Sequence, residues 1–429
     1  MEFKIEKLIL ENKQFEGVLK CENGTFILQI SGCDKLENIE IAPWGNTEFD
    51  IIYGKLNSNE YIKLEYCIVQ NTSFDMKEKI HKYMLTVSHF YISNLQLDGI
   101  DLLNEKWDMF VSLGNIEKWF EVKEPEYIMQ NNFKYQIDDN MFLEYVYEDE
   151  LCIKLHNMQF ATNKDYEKIY YNSISIKSLF SLLIGEELSI KRIVVKDGAK
   201  NYIRLYHSIL DSFSSKVIMT NSNGQINLAQ YFLNGSIETF KLSENIFKKW
   251  FNDNFYQRLE IIYLIESLNK RSFNEYLFLN MISCIEAINR RSGKELMLIE
   301  ALKASANNII DCFNIFKQQN KLNDIEHIQG IVLFKDIKKT RNFFTHLNPN
   351  EMYKMKIKGI KMIYVTKFLQ WIIRLNILKE LGIEETVLRS YVRDTEFRMI
   401  LDRLFYNNSL IKQEIESQLD DFIKKLKSR

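Results

Sequence analysis

Apolar and polar positions along this chain follow two different periods. Through the first hundred residues, short runs such as Phe26-Ile27-Leu28-Gln29-Ile30 and Ile62-Lys63-Leu64-Glu65-Tyr66 are apolar or alternate, and polar turn residues bound them. That is the pattern of strands with one buried face. Met1-Glu2-Phe3-Lys4-Ile5-Glu6 also alternates charge with apolar residues. Asn23-Gly24 predicts a tight hairpin, because both residues tolerate the positive φ that a two-residue turn demands. Further strands are predicted over 83–92, 141–147, 151–155 and 190–195, with one short helix over 176–184 closed by Gly185 as its C-cap.

From about Ser243 the period changes. Apolar residues recur three and four apart and turn chemistry becomes sparse, which predicts helices over 244–251, 255–267, 273–290, 295–316, 324–346, 349–381, 384–405 and 409–427. Pro349 suits the first turn of a helix and pushes its predecessor out of helical geometry. The preceding helix should therefore end just after His346, with Asn348 capping the next, Glu351 completing a box-like arrangement and Gly382 closing it. The expected fold is α+β: a β-rich, sandwich-like half in one or two subdomains (1–125 and 126–240), then an all-α bundle over 241–429. The boundary between the halves rests on the change of period alone.

Composition narrows the function classes. Apolar residues at 46% and charged residues at 27% describe an ordinary globular chain rather than a disordered one. The N-terminus lacks a basic-then-apolar leader, and the most apolar late stretch, Ile363 to Leu378, is interrupted by Lys367 and Arg374. A cytoplasmic protein without a membrane span is expected. The six cysteines, Cys21, Cys33, Cys67, Cys152, Cys284 and Cys312, are scattered without a Cys-x-x-Cys pair, so reduced thiols are expected, with no metal site and no cofactor. Charge is uneven: residues 1–320 carry 35 basic and 44 acidic side chains, and residues 321–429 carry 21 and 14. A local cationic excess is what phosphate binding requires, although a basic helical face is often simply solvated.

Within that basic end lies Arg341-Asn342-Phe343-Phe344-Thr345-His346, preceded by Lys338 and Lys339. Cleaving RNA without a metal needs a base for the ribose 2′-OH proton, a cation for the phosphorane oxygens and an acid for the leaving 5′ oxygen. Histidine shuttles a proton near neutrality, and a guanidinium grips two phosphate oxygens at once. Five residues along an ideal helix separate two side chains by about 140°, so Arg341 and His346 do not share a face, and a two-fold pair of chains would bring two sets together. Asn342 could orient the phosphate or be a surface helical Asn. Thr345 could donate to a phosphate oxygen or bond back to the preceding turn. Phe343 and Phe344 fit the core better than a base-stacking platform. Glu286 stands in the apolar run Met281–Ile288 and needs a cationic partner unless it faces solvent. His81, His89 and His156 fall in strand-like sequence, His207 in a helix or turn, and His327 early in the motif helix.

The hexapeptide, late in an all-helical region, resembles the signature of the HEPN superfamily of helical-bundle ribonucleases over about residues 243–429. The resemblance implies metal-independent endoribonuclease activity with Arg341, His346 and Asn342 catalytic, Thr345 and Glu286 supporting, and Lys338 and Lys339 binding RNA. It implies an acidic residue on an earlier helix beside the motif arginine, for which Glu286 is the candidate, and a homodimer with a composite site. Ile51-Ile52-Tyr53-Gly54-Lys55-Leu56, followed by Tyr61-Ile62-Lys63-Leu64-Glu65-Tyr66-Cys67, resembles the N-terminal domain of ApeA-like abortive-infection proteins. That second resemblance implies an anti-phage effector whose first half senses a phage-derived trigger or restrains the nuclease, with tRNA or another structured RNA as substrate. The alternatives are a non-catalytic RNA- or protein-binding bundle and a toxin restrained by a partner protein.

Overall fold

The computed structural model describes residues 2–22, 24–32, 35–36, 48–98, 106–114, 116, 134–158, 160, 166–185, 187–198, 201–207, 244–268, 274–293, 295–309, 332–346, 355–394, 397, 400 and 404. The chain divides into two compact units, residues 1–177 with 188–226 and residues 178–187 with 227–429. None of the described helices is long and apolar enough to cross a membrane.

The first unit is built on twelve strands: β1 (Glu2–Leu10), β2 (Lys13–Glu22), β3 (Thr25–Gly32), β4 (Glu48–Leu56), β5 (Tyr61–Asp75), β6 (Ile80–Ser93), β7 (Trp107–Leu113), β8 (Lys134–Gln136), β9 (Phe142–Tyr147), β10 (Leu151–Met158), β11 (Ile190–Asp197) and β12 (Tyr202–His207). They form one antiparallel sheet in the order β3-β2-β1-β4-β5-β6-β12-β11-β7-β10-β9-β8, and β3 also pairs with β6. The first six strands therefore close into a barrel, and the other six extend from it as an open sheet. The β-rich half expected from sequence is present, its sandwich-like form taking the shape of a closed barrel continued by an open sheet. The subdomain boundary expected at 125 falls inside this sheet, since β7 lies between β11 and β10.

Strand β6 makes the fork. Its residues His81–Val87 pair with β3 and His89–Ser93 pair with β12, while β5 runs along its other edge. The sequence registers the change: burial alternates at Tyr83, Leu85 and Val87, then becomes continuous from His89 to Ser93, where both faces are covered. The β2–β3 hairpin forms as expected, with Glu22 opposite Thr25 and Gly24 at φ +82°. Asn23 lies outside the described residues. At Gly54 a Cβ would stand 2.8 Å from the Lys7 carbonyl and 2.8 Å from Leu8 Cδ2, so β1 can lie against β4 only over a glycine.

Charges are buried at the fork. Lys63 and Glu65 on β5 form an ion pair, Glu65 accepts from His89 Nε2 at 2.7 Å, and the Lys63 ammonium stands 4.0 Å from the centre of the Tyr166 ring. Each charge has a partner, as burial requires. His207, expected in a helix or turn, instead ends β12 and packs against Tyr170 and His89 with ring centres 4.6 and 5.5 Å away. Burial, then the charge of His89, pushes the His207 imidazole down to about 4. The four described cysteines, Cys21, Cys67, Cys152 and Cys284, are free thiols.

Helix α1 (Glu167–Ile184) is nine residues longer at its start than expected, because Tyr170, Tyr171 and Ser173 read as strand or turn formers. Gly185 follows it at φ +86°. The second unit holds α2 (Glu244–Asn252), a 3₁₀ turn (Phe255–Gln257), α3 (Leu259–Ser267), α4 (Asn274–Arg291), α5 (Leu298–Asn308), α6 (Val332–His346), α7 (Ile360–Leu381) and α8 (Glu385–Asp394). Helix α7 is buried nearly all round, from Met362 to Leu381, and packs against α2, α3, α4, α5 and α8. Its C-terminal Glu380 takes both Arg258, at 3.1 and 3.1 Å, and Arg291, at 2.8 Å, and both arginines also reach the buried Glu260. This cluster fixes the ends of α3, α4 and α7 to one another.

The helix expected over 349–381 starts at Ile360 instead. Residues 355–358 belong to no helix or strand, and Gly359 sits at φ +53°, ψ −133°, a conformation that side chains disfavour. Asn348, Pro349 and Glu351 lie outside the described residues, as do His327 and the helix expected over 409–427.

Two outcomes follow. Gly54→Val should lower stability by about 1–3 kcal/mol, read from denaturant unfolding, because the added methyls meet backbone. His207 binds its proton less readily folded than unfolded, so the stability it contributes is present above its ordinary value of 6.5 and is lost as pH falls from there towards about 4. Stability measured across that window should fall less steeply in His207→Asn than in the parent.

Candidate functional site

Helix α6 carries the hexapeptide on its last turns, and the helix is unbroken from Val332 to His346. Phe334, Ile337 and Thr340 are fully buried and mark its inner face. Lys335, Lys339, Asn342 and His346 lie within about 60° of one another around the axis on the outer face. Lys335, Lys339 and His346 are exposed and Asn342 is half-buried. Arg341 lies about 140° from His346, at the border where α6 meets α4, with Lys338 and Thr345 falling between them.

The Arg341 guanidinium faces Glu286 of α4, Nη2 to Oε1 at 3.6 Å, and Nη1 donates to Asn342 Oδ1 at 3.4 Å. Both members of the ion pair are partly exposed, so it orients the arginine more than it stabilises the fold. Thr345 Oγ1 donates to the Arg341 carbonyl at 2.9 Å, the back-bond to the preceding turn. Phe344 packs edge-on to Phe278 of α4, with ring centres 6.4 Å apart, and Phe343 stands edge-on to Phe344 at 5.5 Å. The two phenylalanines are packing residues. Of the site residues expected from sequence, the fold brings Arg341, Asn342 and Glu286 together and sets His346 about 140° round the helix from Arg341, on the face that Asn342 shares. Among the described residues no group of three His, Cys, Asp or Glu could hold a metal ion.

Sequence reasoning missed two residues here. Lys335 shares the outer face with Lys339 and His346, a pattern visible in the i, i+4, i+11 spacing. Thr340, buried on the inner face, accepts from the backbone N–H groups of Lys356 and Ile357 at 3.3 and 3.2 Å. This side chain pins the segment before α7 to the middle of α6, and only the fold reveals it.

Thr340→Val keeps the shape and removes the acceptor of both N–H groups, so it should cost about 1–3 kcal/mol in urea unfolding. Glu286→Gln, which weakens a partly exposed pair, should cost less than about 1 kcal/mol in the same measurement.

No curated protein and no solved structure matches the chain. A family model described as Apea-like HEPN matches residues 206–387. The matched span contains α4, α6 and α7, and with them Glu286 and the hexapeptide, whereas residues 1–205 precede it. Over residues 206–387 the chain is thus similar to an Apea-like HEPN domain.

Proposed function

We propose that this chain is a metal-independent endoribonuclease and the effector of a bacterial abortive-infection system against phage. The observation that carries the reading is the disposition of α6: Arg341 oriented by Glu286 on one border, His346 exposed at the helix end, and lysines on the face beside it. HEPN domains are generally ribonucleases, which supports the same reading at the level of the family.

The chemistry is in-line transesterification. One His346 imidazole takes the proton of a ribose 2′-OH, and the oxygen attacks the adjacent phosphorus. The Arg341 guanidinium stabilises the charge on the phosphorane oxygens. A second imidazolium gives a proton to the departing 5′ oxygen, leaving a 2′,3′-cyclic phosphate and a 5′-hydroxyl. One chain supplies one imidazole at this place, and its arginine points elsewhere around the helix. Two copies about a two-fold axis supply both acid and base and both guanidinium groups. Asn342 fixes the arginine by its side-chain contact, Thr345 has its hydroxyl turned to backbone, and Lys338 and Lys339 attract the RNA strand, which tRNA or another structured RNA would provide. The sheet unit is then the part that senses a phage-derived trigger or restrains cleavage. In this reading the protein acts in the cytoplasm and uses no cofactor.

Arg341→Ala and His346→Ala should each lower kcat for RNA cleavage by about 10²–10⁴ while thermal unfolding stays that of the parent. Cleavage by both variants at the parental rate would remove these two residues from the reaction, and RNA binding without cleavage by the parent would favour the other reading, a bundle that docks RNA or a partner protein without cutting.

A further inference from the structure

The polar arc of α6 does not end at the motif. Around the axis from Arg341 it passes Lys338, Asn342, His346 and Lys339 and reaches the border at Asp336 and Thr340, where residues 355–358 cross the helix. Thr340 fixes that crossing through its two hydrogen bonds to Lys356 and Ile357, and Ile357 is fully buried. Ile357 is buried while Lys356 and Lys358 on either side of it are both exposed. The two carboxylates bordering this arc are already engaged: Asp336 faces Lys361 at 3.9 Å and Glu286 faces Arg341 at 3.6 Å. Five lysines, Lys335, Lys338, Lys339, Lys356 and Lys358, therefore make a cationic strip that starts at the motif and runs off the helix onto the segment.

We infer that Lys356 and Lys358 are substrate-positioning residues, which hold phosphates of an RNA strand to one side of the bond that is cut. The inference rests on the ribonuclease reading. Thr340 stands about 9 Å along the axis from His346 and about 120° round it, so the segment lies roughly 13 Å from His346, about four phosphates of a stacked strand. A phosphate seated at His346 thus has others of the same strand within reach of the segment. These lysines touch no reacting atom. They bind the substrate and the transition state alike, so they act on KM rather than on kcat.

The test uses the full chain carrying His346→Ala, to prevent cleavage, and a fluorescein-labelled single-stranded oligoribonucleotide of mixed sequence. The affinity is measured over a series of salt concentrations. Adding Lys356→Gln and Lys358→Gln should weaken binding and reduce the slope of log K against log salt by about 1.4, from two contacts at about 0.7 each. The same two-charge loss at the β5–β6 turn, Lys77→Gln with Lys79→Gln, should leave the slope unchanged. With His346 restored, the Lys356/Lys358 double variant should show a raised KM and an unaltered kcat. A parental slope in that variant, or an equal fall in the turn variant, overturns the inference and leaves the ribonuclease reading intact. Absence of RNA cleavage by the parent protein is the separate result that removes the reading itself.

Discussion

An unbroken α-helix turns about 100° per residue, and the account of this protein depends on that constraint. Arg341 and His346 stand five residues apart on α6 and cannot face the same way while the helix stays regular, as it does to its last residue. The two groups that a phosphodiester needs are thus presented from different sides of one rod. Arg341 is turned towards α4, where Glu286 meets it, and His346 is turned towards solvent. In the proposed chemistry a second copy completes the site, since among the described residues of α6 His346 is the one imidazole.

The bundle exists to hold that rod still. Helix α7, buried almost all round, is the hub against which α4 and α5 pack, and α6 packs in turn on α4 and α5. The four-charge cluster of Arg258, Glu260, Arg291 and Glu380 locks helix ends about 7.5 Å along α4 from Glu286. Thr340 couples α6 to the approach to α7. In the sheet unit the corresponding problem is the edge of β6, which serves the barrel over half its length and the open sheet over the other half. Buried charges at that fork are acceptable only because Lys63, Glu65 and His89 satisfy one another.

Much of this was legible in the sequence, for reasons that can be stated. The helical period from Ser243 onward placed α2 to α4 and the start of α5 within a few residues, because amphipathic helices repeat over many turns. The partner of Arg341 was legible through the resemblance, which implies an acidic residue on an earlier helix, whereas the run Met281–Ile288 alone left a solvent-facing Glu286 equally open. Closure of the barrel was not, because pairing of β3 with β6 is a long-range choice that alternation on each strand leaves open. The start of α7 was misplaced at Pro349: local capping chemistry there looked sufficient, whereas Gly359 and the tertiary bonds of Thr340 decide where the described helix begins. His207 was misread because a strand as short as β12 carries little periodic signal. Lys356 and Lys358 gained meaning only once the segment was seen to cross α6.

The central claim is that an imidazole and a guanidinium promote attack by the neighbouring ribose oxygen. The chemistry of the cut ends tests it most directly, determined on RNA cleaved by the purified protein with EDTA present. The account predicts 5′-hydroxyl termini, labelled by polynucleotide kinase without prior phosphatase treatment, opposite 2′,3′-cyclic phosphates. Fragments with 5′-phosphate and 3′-hydroxyl ends, the products of attack by water, would contradict it.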